Sequence, residues 1–122
     1  MRVIHIFSSK IFAGLERHIE ELAYAQTEKH AIQVIGPAKF KEHFRANYKI
    51  IDTNQWRFSP ILGFQIKRAI DQFKPDIIHS HAYKTTAIIS KFGDKNFHHV
   101  ATIHGTKKKT DVFEKAAFIF GA

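Results

Sequence analysis

The stretch RVIHIFSSKIFAGLERHIEELAYAQTEKHAIQVIG, residues 2–36, contains a complete strand–helix–strand pattern. The β-branched run of residues 2–7 predicts a first strand, and residues 31–35 predict a second one closed by Gly36 and Pro37. Between them, residues 15–29 repeat apolar side chains at helical spacing. This order of elements favours a parallel sheet flanked by helices. The predicted apolar stripe of the helix is Leu15, Ile19, Leu22, Ala23 and Gln26, and the residues placed off it are Glu16, Arg17, Glu20 and Glu21.

The rest of the chain continues the alternation. The further predicted elements are a short basic helix over 39–46, a strand over 49–52, a helix over 60–73, a strand over 76–79, a helix over 85–92, and strands over 99–103 and 116–120. The buried candidates of the 60–73 helix are Ile61, Phe64, Ile66, Ile70 and Phe73. We therefore expect one α/β domain over residues 1–122, a Rossmann-like open parallel sheet with helices on both faces and the strand order 3-2-1-4-5.

Composition places the chain among ordinary globular domains. Hydrophobic residues make up 44% and charged residues 25%, which does not fit a disordered chain. No apolar run approaches the roughly 20 residues of a transmembrane helix, and the first residues do not form a signal peptide. We accordingly expect a cytoplasmic location. Since the sequence stops directly after an apolar strand, we also expect the domain to be truncated after Ala122.

The chain is strongly basic, with a net charge of +8 and a pI near 9.8. Such a surface attracts polyanions, although a merely soluble basic surface explains the charge equally well. One basic region is interleaved with Phe40, Phe44, Trp56 and Phe58, which suits an anionic membrane surface. The alternative, that these aromatic side chains face the core, stays open. The cations of this region are Lys39, Lys41, Arg45, Lys49, Arg57, Lys67 and Arg68.

Three predicted loops should converge on one crevice. In an open parallel sheet, ligands bind beyond the carboxyl ends of the strands where the strand order reverses. The loops there are residues 8–14, 80–84 and 104–109, which are rich in Gly, Ser, Thr, His and Lys. Gly14 would let a phosphate or a sugar approach the exposed amides of a helix start. A single glycine is not the G-x-G-x-x-G dinucleotide motif, and an ordinary helix-start glycine is the competing interpretation.

Histidines follow two of the strands that lead to this crevice. His79 and His81 share a strand face, yet no cysteine or carboxylate cluster accompanies them, so we do not expect a metal. His79 fits a packed strand residue, whereas His81 and His104 are placed to bind a ligand or act as a general base. Lys107 opens a basic run that follows His104. The remaining histidines are treated as scattered surface or strand residues: His5, His18, His30, His43, His98 and His99.

Three motifs in order resemble the amino-terminal domain of family-4 glycosyltransferases of the GT-B fold. AGLERH at 13–18 resembles that family's Gly-Gly-x-Glu-Arg turn after its first strand. KPDIIHSH at 74–81 is similar to its Lys-Pro-Asp segment with a terminal His-x-His, and ATIHG at 101–105 to its Thr-(apolar)-His-Gly segment. Each motif is weak, but the three together are fairly specific and span nearly the whole chain.

The resemblance implies an enzyme that moves a sugar from a nucleotide-diphosphate sugar to an acceptor, with retention and without an essential metal or other cofactor. Its amino-terminal domain binds a glycan or a lipid-linked acceptor, including lipopolysaccharide sugars, and a carboxy-terminal domain binds the donor. Gly14 would then lie near the donor diphosphate or the acceptor, His81 would line the acceptor crevice, and His104, the catalytic candidate, would face the transferring sugar. The substrate-binding assignments are Ala13, Gly14, His81, Lys84, Gly105 and Lys107.

Two departures from the family pattern matter. Ala13 stands where the family has the first glycine of its pair, so backbone approach is tighter. We expect the donor-binding domain to be absent from these 122 residues and the chain alone to be inactive. The family's acceptors agree with a peripheral position on the inner face of a membrane.

The competing function is a non-catalytic basic module that binds anionic lipid or nucleic acid. A third possibility, a flavodoxin-like nucleotide-binding regulator, is disfavoured because this chain lacks the acidic cluster that such proteins have near the first strand. As a partner of the transferase, nucleic acid is not expected.

Overall fold

The computed structural model of the protein describes residues 1–56, 58–92 and 96–103, together with the backbone strand at 118–121. The strands are β1 (Arg2–Ile6), β2 (Ala31–Gly36), β3 (Asn47–Ile50), β4 (Ile77–His81), β5 (His98–Ile103) and β6 (Phe118–Gly121). The α-helices are α1 (Gly14–Gln26), α2 (Pro60–Phe73) and α3 (Tyr83–Ser90), and a 3-10 helix spans Ala38–His43. Every strand and helix predicted within the described residues is present, with ends displaced by at most three residues, and a short helical stretch predicted between residues 109 and 116 lies outside them.

The strands form one parallel sheet in the order β3-β2-β1-β4-β5-β6. The predicted Rossmann-like α/β sheet and its strand order are thus confirmed. β1 is central because its β-branched side chains are buried on both faces, as expected for a strand covered by helices on each side. Its register aligns Val3 with Ile32 of β2 and with Ile77 of β4.

Side chains alternate along β1 and so divide the core into two layers. Val3 and Phe7 pack against Ile19 of α1, on what we call the α1 face. Ile4 and Ile6 pack against α2 and α3 on the opposite face. Any ligand-binding residue on β1 or β4 must therefore belong to one of these two layers or to the edge where the strands end.

The 60–73 helix has the predicted bounds and part of the predicted buried face. Ser59 Oγ accepts the Leu62 N–H at 3.3 Å and Pro60 occupies the first turn, while Lys74 ends the helix in a left-handed conformation. Ile61 and Phe64, predicted to be buried, are 64% and 65% exposed. Ile66 is enclosed as predicted, and Ile70 and Phe73 pack against the core. The other enclosed side chains are Leu62 and Ala69, so the buried face is turned away from Ile61 and Phe64.

In α1, two glutamates that were predicted to lie off the apolar stripe are buried. The Glu16 carboxylate accepts the Ala13 N–H at 2.8 Å. Glu20 accepts the Arg45 guanidinium at 2.7 and 2.9 Å, and this hydrogen-bonded cation lowers the pKa of the Glu20 carboxyl. Each carboxylate is buried because it has a specific hydrogen-bond donor.

No helix in the described part of the chain is long and apolar enough to cross a bilayer.

Candidate functional site

The strand order reverses between β1 and β4, and ligands of open α/β sheets bind beyond the strand ends at such a point. β1, β4 and β5 run parallel, so the segments that follow them begin at the same edge of the sheet. The segment after β5 lies outside the described residues. It contains His104, Gly105 and Lys107, whose catalytic and substrate-binding roles stay predictions.

The segment after β1 leads to an open helix start. Ala13 and Gly14 are both exposed, and a Cβ added at Gly14 would meet nothing within 4 Å. Ala13 has no side-chain oxygen that could cap the helix. The capping contact is the hydrogen bond from the Ala13 N–H to the Glu16 carboxylate. The first N–H groups of a helix lack intrahelical acceptors, and the open space at Gly14 gives a phosphate or hydroxyl ligand a route to them.

The turn predicted over residues 80–84 is wrong, because β4 continues through His81 and α3 already begins at Tyr83. The strand continues because His81 pairs with Thr102 of β5, and the Ala82 N–H extends this ladder to the Thr102 carbonyl at 2.8 Å. Ala82 alone makes the turn, with φ 77° and ψ 174°. Its carbonyl accepts the Thr86 hydroxyl at 2.8 Å, so strand and helix join without a loop.

This compact junction changes the surroundings of two predicted site residues. The side chain of His81 is 0% exposed and lies within the sheet rather than in a loop. Lys84 is half-buried, and its ammonium group donates to the Gln55 carbonyl at 2.6 Å. That contact fastens α3 to the segment before α2. Substrate binding by His81 and Lys84 stays a prediction.

Three histidines meet on the α1 face: His5 of β1 with His79 and His81 of β4. The parallel register pairs His5 with His79, and His81 lies on the same face two residues further along. The rings of His79 and His81 are stacked, with centroids 4.1 Å apart and planes inclined by 19°. The sequence prediction that His5 is one of the scattered histidines is wrong, because spacing along the chain does not show which strands are neighbours. We call these three residues the histidine trio.

Hydrogen bonds define which ring nitrogens of His5 and His81 carry a proton. An amide oxygen only accepts, so His5 Nε2–H donates to Gln26 Oε1 at 2.6 Å, and His5 Nδ1 accepts His81 Nε2–H at 3.0 Å. His79 Nε2 lies 2.6 Å from Thr102 Oγ1. Burial lowers the pKa of His5 to about 4 and that of His79 to about 3, because a buried imidazolium loses its hydration. Both rings are therefore neutral at pH 7.

A second buried polar group lies on the opposite face. Ser80 Oγ is 2.8 Å from both His99 Nε2 and Thr86 Oγ1. Burial lowers the pKa of His99 to about 4. Since Ser80 and Thr86 are both 0% exposed, this serine–histidine pair stabilises the β4–α3 junction and does not offer a nucleophile to a substrate.

The basic and aromatic region predicted from the sequence divides into two parts. Phe40 and Phe44 are core residues, as the core-facing alternative holds. Trp56 and Phe58 are 69% and 51% exposed, with ring centroids 5.3 Å apart. Arg57, between them, lies outside the described residues. The exposed side chains continue along α2, and we call the set the apolar patch: Trp56, Phe58, Ile61 and Phe64.

Comparison with known proteins adds a family to this geometry. The model of Glycosyltransferase Family 4 matches residues 12–119. Among solved structures, the chain is similar to a mutant form of enoyl thioester reductase from Candida tropicalis, with a TM-score of 0.52 and 13% identity over 98% of this chain. The chain spans 36% of that structure's length, and at this identity the likeness concerns the fold alone. A search of curated proteins finds no match.

Proposed function

This chain belongs to glycosyltransferase family 4, and on that premise we propose that it is the acceptor-binding domain of an enzyme that transfers a sugar from a nucleotide-diphosphate sugar to a glycan or lipid-linked acceptor. The observation that carries the proposal is the family match over residues 12–119. The open start of α1 at the point of strand reversal supports it. The proposal includes retention of configuration, a second domain that holds the donor, and a role in lipopolysaccharide or cell-envelope synthesis.

The residues after β1 supply the part of the site that the geometry supports best. Gly14 leaves room for a diphosphate or a sugar hydroxyl at the start of α1, where the helix dipole favours an anion. The Glu16 carboxylate is already committed to the Ala13 N–H, which leaves the approach at Gly14 open. In the proposed reaction, His104 faces the transferring sugar, and Gly105 and Lys107 line the acceptor side.

The test is sugar transfer by the gene product that contains this chain, with UDP- and GDP-sugars as donors and lipopolysaccharide core or lipid-linked glycans as acceptors. Mass spectrometry detects the product, and the proton NMR coupling of its anomeric centre reports retention. A lack of transfer with all of these donors, or an inverted product, would contradict the corresponding part of the proposal.

Two glycines provide a matched pair of variants for the site. A Cβ added at Gly14 or at Gly63 of α2 meets no atom within 4 Å, so we expect both Gly14→Val and Gly63→Val to fold. We expect Gly14→Val to lower kcat/KM by about tenfold or more, because a displaced diphosphate or acceptor loses its reactive geometry. Gly63→Val should leave kcat/KM unchanged. Equal kinetics in the two variants would exclude the start of α1 from the site.

We also propose that the chain docks on an anionic membrane surface through the apolar patch, as a peripheral protein of the cytoplasmic face. The patch combines an indole, two phenyl rings and an aliphatic side chain, a composition that suits the bilayer interface. Lys67 and Arg68 follow it along α2 and are exposed, and Lys91 Nζ lies 3.8 Å from the Phe58 ring centroid. Together with the net charge of +8, these cations favour anionic lipid.

Trp56 is the only tryptophan, so its fluorescence reports docking directly. We expect a blue shift with vesicles of phosphatidylcholine and phosphatidylglycerol, and a weaker one with phosphatidylcholine alone. Phe64→Gln should reduce binding severalfold, whereas Tyr24→Gln, at an exposed position on α1, should not. Binding to single-stranded DNA with no response to either vesicle would instead support the nucleic-acid alternative.

A further inference from the structure

The histidine trio holds three potential metal ligands, of which His81 alone is also a predicted acceptor-binding residue. We propose that His5, His79 and His81 bind a divalent transition-metal ion of the zinc type. Each residue contributes one ring nitrogen, and these atoms lie within 4.8 Å of one another. Three neutral imidazoles, with water in the fourth position, are a sufficient ligand set for zinc. The inference does not depend on the proposed sugar transfer.

The arrangement arises from the fold rather than from a local motif. His79 and His81 stand two residues apart on β4, so both project from one face of the strand. The parallel register then places His5 of β1 beside His79. The third ligand, which neither chain spacing nor composition reveals, thus comes from the neighbouring central strand.

Outer partners hold two of the rings in the manner of metal-binding histidines. His5 Nε2–H is donated to Gln26 Oε1 at 2.6 Å, which leaves its Nδ1 lone pair directed toward His81. Thr102 Oγ1 lies 2.6 Å from His79 Nε2. Such second contacts fix the tautomer and the orientation of a ligand imidazole and raise its affinity for the metal.

Metal binding requires two defined changes in the trio. His81 now donates its Nε2 proton to His5, so a neutral His81 must carry its proton on Nδ1 before Nε2 can bind the ion. The ring planes are inclined by only 19° to 40°, so the imidazoles must also turn before their lone pairs converge. Because both rearrangements cost free energy, we expect them to weaken the affinity for the ion. His79, the half-buried member, provides the side from which the ion enters.

An ion at this position would join β1 to β4 across the point where the strand order reverses. Because the ligands come from two strands far apart in the chain, the unfolded state cannot hold the ion in the same way. Metal binding should therefore stabilise the folded domain, and the increase in Tm should grow with metal concentration.

The experiment titrates the metal-free chain with ZnCl2 by calorimetry and with CoCl2 by visible absorption. We expect one ion per chain, a Kd in the micromolar range, and cobalt bands typical of a low-coordinate nitrogen site. His79→Gln should weaken binding by about tenfold or more, and Gln26→Ala by about 10- to 100-fold. His98→Gln, at an exposed site on the neighbouring strand, is the matched control and should leave the Kd unchanged.

A measurement on the unsubstituted chain keeps the test independent of variant folding. Imidazole nitrogen NMR should show zinc-dependent shifts at His5, His79 and His81, and none at His99 on the opposite face. The proposal is overturned if zinc leaves these three rings unchanged, or if His79→Gln binds zinc as tightly as His98→Gln does. In that case the trio is a hydrogen-bonded stack without a metal function.

Discussion

Ala82 carries an unfavourable backbone conformation at the junction of β4 and α3. Its φ of 77° with ψ of 174° falls in a region that is almost exclusive to glycine and costs about 1–3 kcal/mol for other residues. Ala82→Gly should raise the free energy of unfolding by about 1 kcal/mol, because relief of this strain exceeds the extra freedom of the unfolded glycine chain. Urea denaturation measures the change.

The matched control for Ala82 is Ala87, which lies within α3. Ala87→Gly should lower the free energy of unfolding by about 1 kcal/mol, the usual cost of glycine inside a helix. Destabilisation by both substitutions would show that the junction does not strain Ala82.

His99 makes the stability of the domain depend on pH. Burial lowers its pKa from the ordinary 6.5 to about 4, so the unfolded chain takes up this proton first as the pH falls. The contribution of His99 to stability is therefore present in full above pH 6.5 and is lost as the pH falls toward 4, and the buried His5 and His79 add to the same acid-side loss. In His99→Gln, the fall in unfolding free energy between pH 7 and pH 5 should be smaller by about 1 kcal/mol than in the unsubstituted protein.

Chemical denaturation at several pH values provides this comparison. Exposed His98 precedes His99 in β5 and is the natural control, so His98→Gln should keep the original pH profile. If the profiles of all three proteins coincide, the buried contact between His99 and Ser80 does not govern the pH dependence.

At the scale of single residues, spacing along the chain indicates which residues share a strand face but not which other strands they contact. His79 and His81 were identified as a pair from their spacing, and His79 as a packed strand residue. The contact of this pair with His5 could not be predicted, because it depends on the register between β1 and β4. The contacting residues His5 and His81 are 76 positions apart in the chain. Gly14 is easier to interpret, because its place at a helix start follows from local sequence alone.

At the scale of single elements, local signals determined the helix limits. The bounds of α2 were predicted correctly because Pro60 suits a first turn and Lys74 with Pro75 stops a helix. Its buried face was predicted only in part, because the helix has apolar residues on more than one side: Ile66 is buried as predicted, whereas Ile61 and Phe64 are exposed. Only the position of the sheet decides which of these sides is covered.

The cap of α2 allows a direct test of such a local signal. Ser59→Ala removes the side-chain acceptor of the Leu62 N–H and should lower the free energy of unfolding by about 1 kcal/mol. Ser59→Asp should preserve most of that stability, because aspartate also accepts at a helix start and its charge suits the dipole. Thermal and urea denaturation compare the two. Equal losses would mean that the Ser59 contact with Gln55, and not the cap, is the stabilising one.

For the molecule as a whole, alternation of strands and helices was enough to predict the parallel sheet and its order. That strand order indicates the edge of the sheet where a ligand would bind, whatever the side-chain geometry there. The conformation of that edge could not be predicted from the sequence. Only Ala82 separates β4 from α3, and the side chain of His81 is enclosed there. Local polar composition predicted a loop there, but pairing between His81 and Thr102 extends the strand instead.

The same sheet order predicts how stability is distributed over the molecule. β1 and β4 each have a strand on both sides and side chains in two core layers, whereas β3 pairs with β2 alone at one edge. Hydrogen-bonded amides of β1 and β4 should therefore exchange with solvent only through global unfolding, and those of β3 through smaller openings. Native-state hydrogen exchange followed by NMR at increasing denaturant concentration separates the two, because global unfolding has the larger denaturant dependence. If β3 amides show the same protection and denaturant dependence as those of β1, the sheet opens as one cooperative unit, and β3 does not unfold separately from the rest.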